Sequence, residues 1–278
     1  MLKAYFDDSG KNEQSVGGCV ADLDSWASFE PAWRAVLDQF HIEWYHAVDF
    51  EGYGPARKEH QKSNFPPMED AERAEFRHAL VGVLQDHVGV SVSHAVSVSA
   101  GRWGGYVCAI VPPDSVAMLE HLDEADRVTN RLGKPQPRSR NERLTEDIVA
   151  HSNDPYGHCL QQAFGMAAAQ FAMPLDESVR VFVADQPKKR GLIDLAYKIV
   201  RSSPKFGHRF IGIDNGNHMN PRDIVPLQAA DFAAYYLTKA KRNPLDPVAM
   251  EMSALLQPQY VEYSDGLYLT RGYLWGNR

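Results

Sequence analysis

Three aspartates lie where a carboxylate is costly, and their positions suggest a metal site. Asp7 ends a short alternating strand, Asp185 follows the apolar run Val179–Ala184, and Asp231 lies in an apolar stretch of helical periodicity. Burying an unpaired carboxylate costs several kcal/mol, and no Lys or Arg lies within one helical turn of Asp231. If the three carboxylates converge, they form an all-oxygen site that suits Mg²⁺ or Mn²⁺.

Each aspartate also has an ordinary structural interpretation. Asp7 and Asp8, followed by Ser-Gly, are typical of a hairpin turn, and Asp185 is typical of a cap or turn at a strand end. Such an interpretation is weaker for Asp231, because its neighbours in the helix are apolar. Taken together, two aspartates at strand ends followed along the chain by one in a helix favour a shared function.

His46 and a group of basic residues are candidate contacts to a substrate. His46 is either a histidine bonded to backbone at a strand end or a metal ligand, proton shuttle or phosphate contact. Three cations lie three to five positions after Asp185. They predict a phosphate-binding loop, with a solvated loop as the alternative. These cations are Lys188, Lys189 and Arg190. A second basic segment spans 131–143.

Periodicity and turn residues predict the elements that position these side chains. Strands at Leu2–Asp7 and Ser15–Ala21 form an N-terminal hairpin, and we expect the first of them to pair with Val179–Ala184 in a central sheet. Asn220 and Pro221 are expected to open the Asp231 helix, which runs to about Lys241. Further helices are predicted from a Ser25 N-cap to Phe40 and at 69–86, 114–130, 155–173 and 192–201, with strands at 88–98 and 209–213.

Composition excludes several classes of protein. The 278 residues are 44% hydrophobic and 23% charged with a net charge of −7, which argues against coating nucleic acid by bulk positive charge. Mean hydropathy is −0.40, and no apolar run is long enough to cross a bilayer. Three widely spaced cysteines favour a reducing compartment. The sequence therefore predicts a cytoplasmic α/β protein, without a membrane partner and with one domain over 1–278.

Two segments carry a resemblance to a known family. Tyr5-Phe6-Asp7-Asp8-Ser9-Gly10 resembles the opening motif of a bacterial and phage family called domain of unknown function 3800, and Leu227-Gln228-Ala229-Ala230-Asp231 resembles its helical signature. Weaker matches are Val183-Ala184-Asp185 and the His-x-x-Asp pattern from His46 to Asp49. The family usually has Glu at position 8 and often an acid at position 186, where this chain has Asp and Gln.

The resemblance implies a ribonuclease H-like mixed sheet with flanking helices, here with a helix and basic loop inserted around 114–143. It also implies a metal-dependent phosphodiester hydrolase, specifically a nuclease, with two Mg²⁺ or Mn²⁺ ions. Asp7 would bridge the ions, Asp185 and Asp231 would each hold one, and Asp8 would orient water or complete a coordination shell. His46, the three cations and Gln228 would contact substrate.

Two alternatives remain open at this point. One is a nucleic-acid- or protein-binding module that kept the fold without catalysis, and the other is a hydrolase of a small phosphate-containing molecule. The residues do not distinguish DNA from RNA, do not define the oligomeric state, and leave the fourth carboxylate between Asp8 and Asp49, ahead of Glu30 and Glu43.

Overall fold

The computed structural model describes residues 1–9, 15–52, 65–88, 104–110, 155–172, 175–216, 219–256 and 259–262. The strands are β1 (Leu2–Ser9), β2 (Ser15–Asp22), β3 (Gly104–Ile110), β4 (Val179–Val183), β5 (Phe210–Asp214) and β6 (Gln259–Glu262). The helices are α1 (Leu23–Gln39), α2 (Ala47–Glu51), α3 (Asp70–His87), α4 (Pro155–Met166), α5 (Arg190–Arg201), α6 (Val225–Arg242) and α7 (Pro247–Leu256). A π-helical turn (Ala167–Ala172) extends α4, and a 3-10 turn (Gly207–Arg209) precedes β5.

The described strands form one mixed sheet in the order β5-β4-β1-β2-β3-β6. Strands β1, β2 and β3 are successively antiparallel, whereas β4 is parallel to both β1 and β5, and β6 is parallel to β3. The predicted hairpin and the predicted pairing of β1 with β4 are both confirmed. The protein is therefore a mixed α/β fold in which the strand that carries Asp7 is central.

Strand β1 is covered on both faces, which explains why it carries apolar residues on both. Ala4 and Phe6 belong to a core with α4 and α5, whereas Tyr5 belongs to a core with α1, α3 and α6. Since side chains alternate along a strand, Asp7 lies on the Tyr5 face and Asp8 on the Phe6 face. Asp7 and Asp8 therefore lie on opposite faces of the sheet.

Two predicted helix starts are wrong, and both errors arise from local hydrogen bonding. Helix α1 begins before Ser25: Asp22 is its N-cap, and an Oδ1 atom of Asp22 accepts a hydrogen bond from Ser25 N at 2.7 Å. Helix α6 begins at Val225, because the Asn220 side chain accepts from Arg222 N at 3.0 Å and closes a separate turn.

Several predicted segments lie outside the described residues. They are residues 89–98 of the predicted strand at 88–98, the helix at 114–130 and the basic loop at 131–143. Predicted helices at 69–86 and 192–201 agree with α3 and α5 apart from their ends. In the described part of the chain, no helix combines the length and the apolar character that crossing a membrane requires.

Candidate functional site

Asp7 and Asp231 are buried carboxylates that interact across the boundary between the sheet and α6. Their exposed fractions are 9% and 5%. Burial, followed by the charges of Asp231 and Asp8, raises the pKa of Asp7 well above its ordinary value. Burial also raises the pKa of Asp231 to about 6, although the His46 charge and the hydrogen bond from Ala47 N act in the opposite direction. Two carboxyl groups thus share a poorly solvated space in which ionising both is unfavourable.

Glycine on β2 permits this close approach. Gly17 pairs with Asp7 in the β1–β2 register. A Cβ atom built on Gly17 would lie 2.5 Å from Ala234 Cα and 2.8 Å from its Cβ, so α6 contacts the strand backbone directly. Asp231 lies about one helical turn before Ala234 on α6 and is also buried. The contact therefore places the Asp231 carboxylate beside the strand that carries Asp7.

The buried Gln228 side chain forms hydrogen bonds with the segment that contains Tyr45 and with the turn that contains Pro221. Its Oε1 accepts from Tyr45 N at 2.9 Å and from Trp33 Nε1 at 3.1 Å, while its Nε2 donates to Pro221 O at 2.8 Å. The side chain is only 1% exposed. This geometry favours a positioning role over the predicted contact with substrate.

The short helix α2 is clamped at both ends. Asp231 Oδ2 accepts from Ala47 N at 2.6 Å, at the first residue of the helix. At the other end, Arg73 donates to Phe50 O at 2.7 Å, and Arg77 Nε donates to Glu51 Oε1 at 2.7 Å. Five residues cannot sustain a helix alone, so these contacts hold α2 in place.

The Glu51 carboxylate is a further buried group that sequence reasoning missed. Its side chain is 8% exposed and also accepts a hydrogen bond from Tyr236 OH. No periodicity signals this network, because its members come from α2, α3 and α6 and meet only in the folded chain.

His46 and Asp49 form a pair directly beside Asp231. The His46 Nδ1 lies 2.9 Å from an Asp49 carboxylate oxygen, and both side chains are more than a third exposed. The His46 ring also stacks on Trp44, with ring centroids 5.6 Å apart. The predicted proximity of His46 to a carboxylate of the site is supported by its electrostatic effect on Asp231.

The other two predicted catalytic acids are bonded to the residues that follow β4. Asp8 accepts from Gln186 Nε2 at 2.7 Å and from Lys189 Nζ at 2.9 Å. Asp185 Oδ1 accepts from the Arg190 guanidinium at 2.6 and 3.0 Å. Two of the three cations predicted to bind phosphate thus neutralise acids of the same candidate site, whereas Lys188 is exposed.

The predicted acids therefore have two kinds of partner in the structure. Asp7 and Asp231 lie together, with the His46–Asp49 pair alongside, while Asp8 and Asp185 are each joined to a cation. Within the described ranges, no group of three or more His, Cys, Asp or Glu side chains is arranged to hold a metal ion. Convergence of Asp7, Asp185 and Asp231 on two ions stays a prediction.

One oxygen of each carboxylate in the buried pair is engaged by backbone. Asp7 Oδ1 accepts from Asp8 N at 2.8 Å, as Asp231 Oδ2 does from Ala47 N. Among the described residues, neither carboxylate forms an ion pair within 4.0 Å with Lys or Arg. The carboxylate oxygens of Asp7 and Asp231 are hard donors that fit part of the coordination shell of Mg²⁺ or Mn²⁺.

Comparison with known proteins identifies no relative of this chain. The chain matches no protein-family model, no curated protein and no solved structure. The resemblance noted in the sequence therefore stays a prediction, and the case for a function depends on the geometry of the site.

Proposed function

We propose that the protein is a metal-dependent phosphodiester hydrolase, specifically a nuclease, built on a ribonuclease H-like core. The observation that carries the proposal is the buried pair of Asp7 and Asp231, whose pKa values are both raised. Like charges in a poorly solvated space are costly, and a bound divalent cation would offset that cost. Perturbed carboxylates of this kind are typical of functional sites.

The fold supports the same assignment. Asp7 lies on the central strand β1, and Asp231 lies on a helix packed against it. Asp185 lies two residues after the end of the neighbouring parallel strand β4. This agrees with the arrangement implied by the family resemblance, in which the acids line one end of the sheet. Fold analogy alone would not specify the reaction, so the carboxylate pair remains the main support.

In this proposal Asp7 and Asp231 would hold Mg²⁺ or Mn²⁺, which when bound would supply Lewis acidity toward a phosphodiester. The Ala47 and Asp8 amides orient the two carboxylates by occupying one oxygen of each. Asp185 would join the metal ligands only if Arg190 released it. Lys189 and Arg190 would then be available to contact phosphate oxygens.

A non-catalytic binding module is the second candidate, and the ion pairs favour it. Asp8 with Lys189, and Asp185 with Arg190, are satisfied within the protein, as structural carboxylates are. Asp231 also caps α2, which is a structural task. In this alternative the acids stabilise the fold, and substrate hydrolysis is absent.

Thermal unfolding and hydrolysis together test the proposal. Wild-type protein, Asp7→Asn and Asp231→Asn would be unfolded in EDTA and in millimolar Mn²⁺ or Mg²⁺. They would also be incubated with labelled single-stranded DNA, RNA and a nitrophenyl phosphodiester. We expect the cation to raise the wild-type melting temperature and to support hydrolysis, and both effects to disappear in the variants. The three substrates separate a nuclease from a hydrolase of small phosphate esters.

Asp38→Asn is the matched control, because Asp38 is an exposed acid on α1. It should retain the metal effect and the hydrolysis. Identical wild-type melting curves with and without the cation, together with no hydrolysis, would contradict the proposal and support the binding module.

A further inference from the structure

A stack of planar side chains lies on the surface beside the carboxylate pair. The Arg222 guanidinium lies 4.7 Å from the centroid of the Trp44 ring. The Trp44 and His46 rings are 5.6 Å apart and inclined by 24°, so they are close to parallel. Trp44 and His46 are partly exposed and Arg222 is exposed. Planar, partly exposed groups of this kind are suited to binding another flat ring.

The local backbone explains why the two rings face outward. His46 is extended, with φ −143° and ψ 117°, and side chains alternate along extended chain. Tyr45 and Ala47 point inward and are fully buried, which leaves Trp44 and His46 on the outer side. Trp26 and Trp33, by comparison, lie in the core with exposed fractions of 2% and 0%.

Both halves of the stack are anchored to the same buried glutamine. Gln228 accepts from Tyr45 N, next to Trp44, and donates to Pro221 O, next to Arg222. The turn closed by Asn220 then presents Arg222 over the indole. A stack that is fixed before binding loses little conformational freedom when a ligand arrives.

The stack also adjoins the candidate reaction centre. His46 immediately precedes Ala47, whose amide donates to Asp231, and the His46 charge affects the Asp231 carboxyl. A ligand ring that extended the stack would therefore bind next to the chain segment that donates a hydrogen bond to the Asp231 carboxylate.

We propose that Trp44, His46 and Arg222 form a subsite that stacks an unpaired nucleobase, so that the substrate is a single-stranded nucleic acid. This inference rests on the proposed phosphodiesterase function and names its substrate class. The two faces of a base in a duplex are covered by its neighbours, whereas an unpaired base offers a free face. The Arg222 guanidinium places a positive charge beside the Trp44 ring, where it can bind a phosphate next to the stacked base.

Binding measured without metal tests the subsite separately from catalysis. Fluorescence anisotropy would follow a labelled oligothymidylate of about 12 nucleotides, an abasic strand of equal length, and a blunt duplex, all in EDTA. We expect wild-type protein to prefer the base-bearing single strand to both other probes. Trp44→Leu should weaken binding of that strand about 10- to 100-fold, down to the level of the abasic strand, and Trp44→Phe should retain most of the affinity. Thymidine monophosphate as competitor distinguishes a mononucleotide ligand from a polymer.

Leu245→Ala is the matched control, since Leu245 is a large apolar residue that is 89% exposed away from the stack. It should bind as the wild-type protein does. Equal affinity of wild-type protein for base-bearing and abasic strands, no binding of either, or an unchanged affinity in Trp44→Leu would overturn the inference. Trp44-dependent binding without metal-dependent hydrolysis would instead contradict only the proposed function.

Discussion

Gly17 of β2 and Ala234 of α6 are in backbone contact, since a Cβ atom on Gly17 would lie 2.5 Å from Ala234 Cα. The contact lies opposite Asp7 in the β1–β2 register and one turn from Asp231. It thus determines how closely the two buried carboxylates approach one another. The geometry of the candidate site depends on a residue that has no side chain.

Gly17→Ala should destabilise the protein, because the added methyl group meets backbone atoms that cannot rotate away. We expect a loss of about 1–3 kcal/mol in the free energy of unfolding, measured with urea, and a weaker effect of Mn²⁺ on melting. Gly82→Ala in α3 is the control, because nothing lies within 4 Å of a Cβ there. It should be neutral or stabilise by up to about 1 kcal/mol. Equal effects of the two substitutions would contradict the close contact.

The raised pKa of Asp231 predicts a pH dependence of stability. The folded state holds the Asp231 proton more tightly than the unfolded chain does, with a pKa of about 6 against 3.8. Stability from this group is therefore fully present below about pH 4 and is lost as the pH rises to about 6. At about 1.4 kcal/mol per pKa unit, the loss is at most roughly 3 kcal/mol.

Urea unfolding between pH 4 and 6.5 measures this slope, and Asp231→Asn should reduce it. Asp246→Asn is the control, because the hydrogen bond from Ala249 lowers the pKa of Asp246. The stability that Asp246 contributes is therefore lost only below the pH range of this experiment. A slope that is unchanged in Asp231→Asn would contradict the burial of a titrating carboxyl at this position.

Gln228→Leu should be strongly destabilising, because it leaves Tyr45 N, Trp33 Nε1 and Pro221 O without their partner. Each unsatisfied buried group costs roughly 1–3 kcal/mol, so we expect a total of several kcal/mol in urea unfolding. Gln161→Leu is the matched control. Gln161 is also buried, but its Oε1 has no hydrogen-bond partner among the described residues. The control should cost less than about 1 kcal/mol, and similar losses in both variants would argue against the anchoring role of Gln228.

Arg190→Gln should increase the stabilisation by Mn²⁺. Arg190 donates two hydrogen bonds to Asp185 Oδ1, so it competes with any cation for that carboxylate. Without the guanidinium, Asp185 becomes available as a third ligand, and the Mn²⁺-induced rise in melting temperature should exceed that of the wild-type protein. Arg180→Gln removes the Arg180–Asp214 ion pair elsewhere on the sheet and should leave the rise unchanged. An unchanged rise in Arg190→Gln would remove Asp185 from the proposed metal site.

Much of the fold follows from local pattern. The alternation in β1, the apolar residues of β2 and the apolar run of β4 predict strands. The apolar character of β1 and β4 on both faces predicts interior positions, as found. The exact helix starts do not follow, because Asp22 and Ser25 are both good caps and a side-chain hydrogen bond selects Asp22. Asn220 could likewise cap a helix or close a turn, and it closes a turn.

The sequence by itself determined that Asp7 and Asp231 are unusual, because each is a carboxylate in an apolar element. Apolar neighbours in the sequence indicate that an element is buried. Only the tertiary structure decided which acids face one another. The Asp185 carboxylate accepts hydrogen bonds from Arg190. The Arg222 guanidinium lies over the Trp44 ring although 178 positions separate the two residues along the chain. Periodicity reports which face of an element is apolar, whereas contacts between side chains depend on register, close approach at Gly17 and competition among nearby cations. Those quantities exist only after the chain has folded.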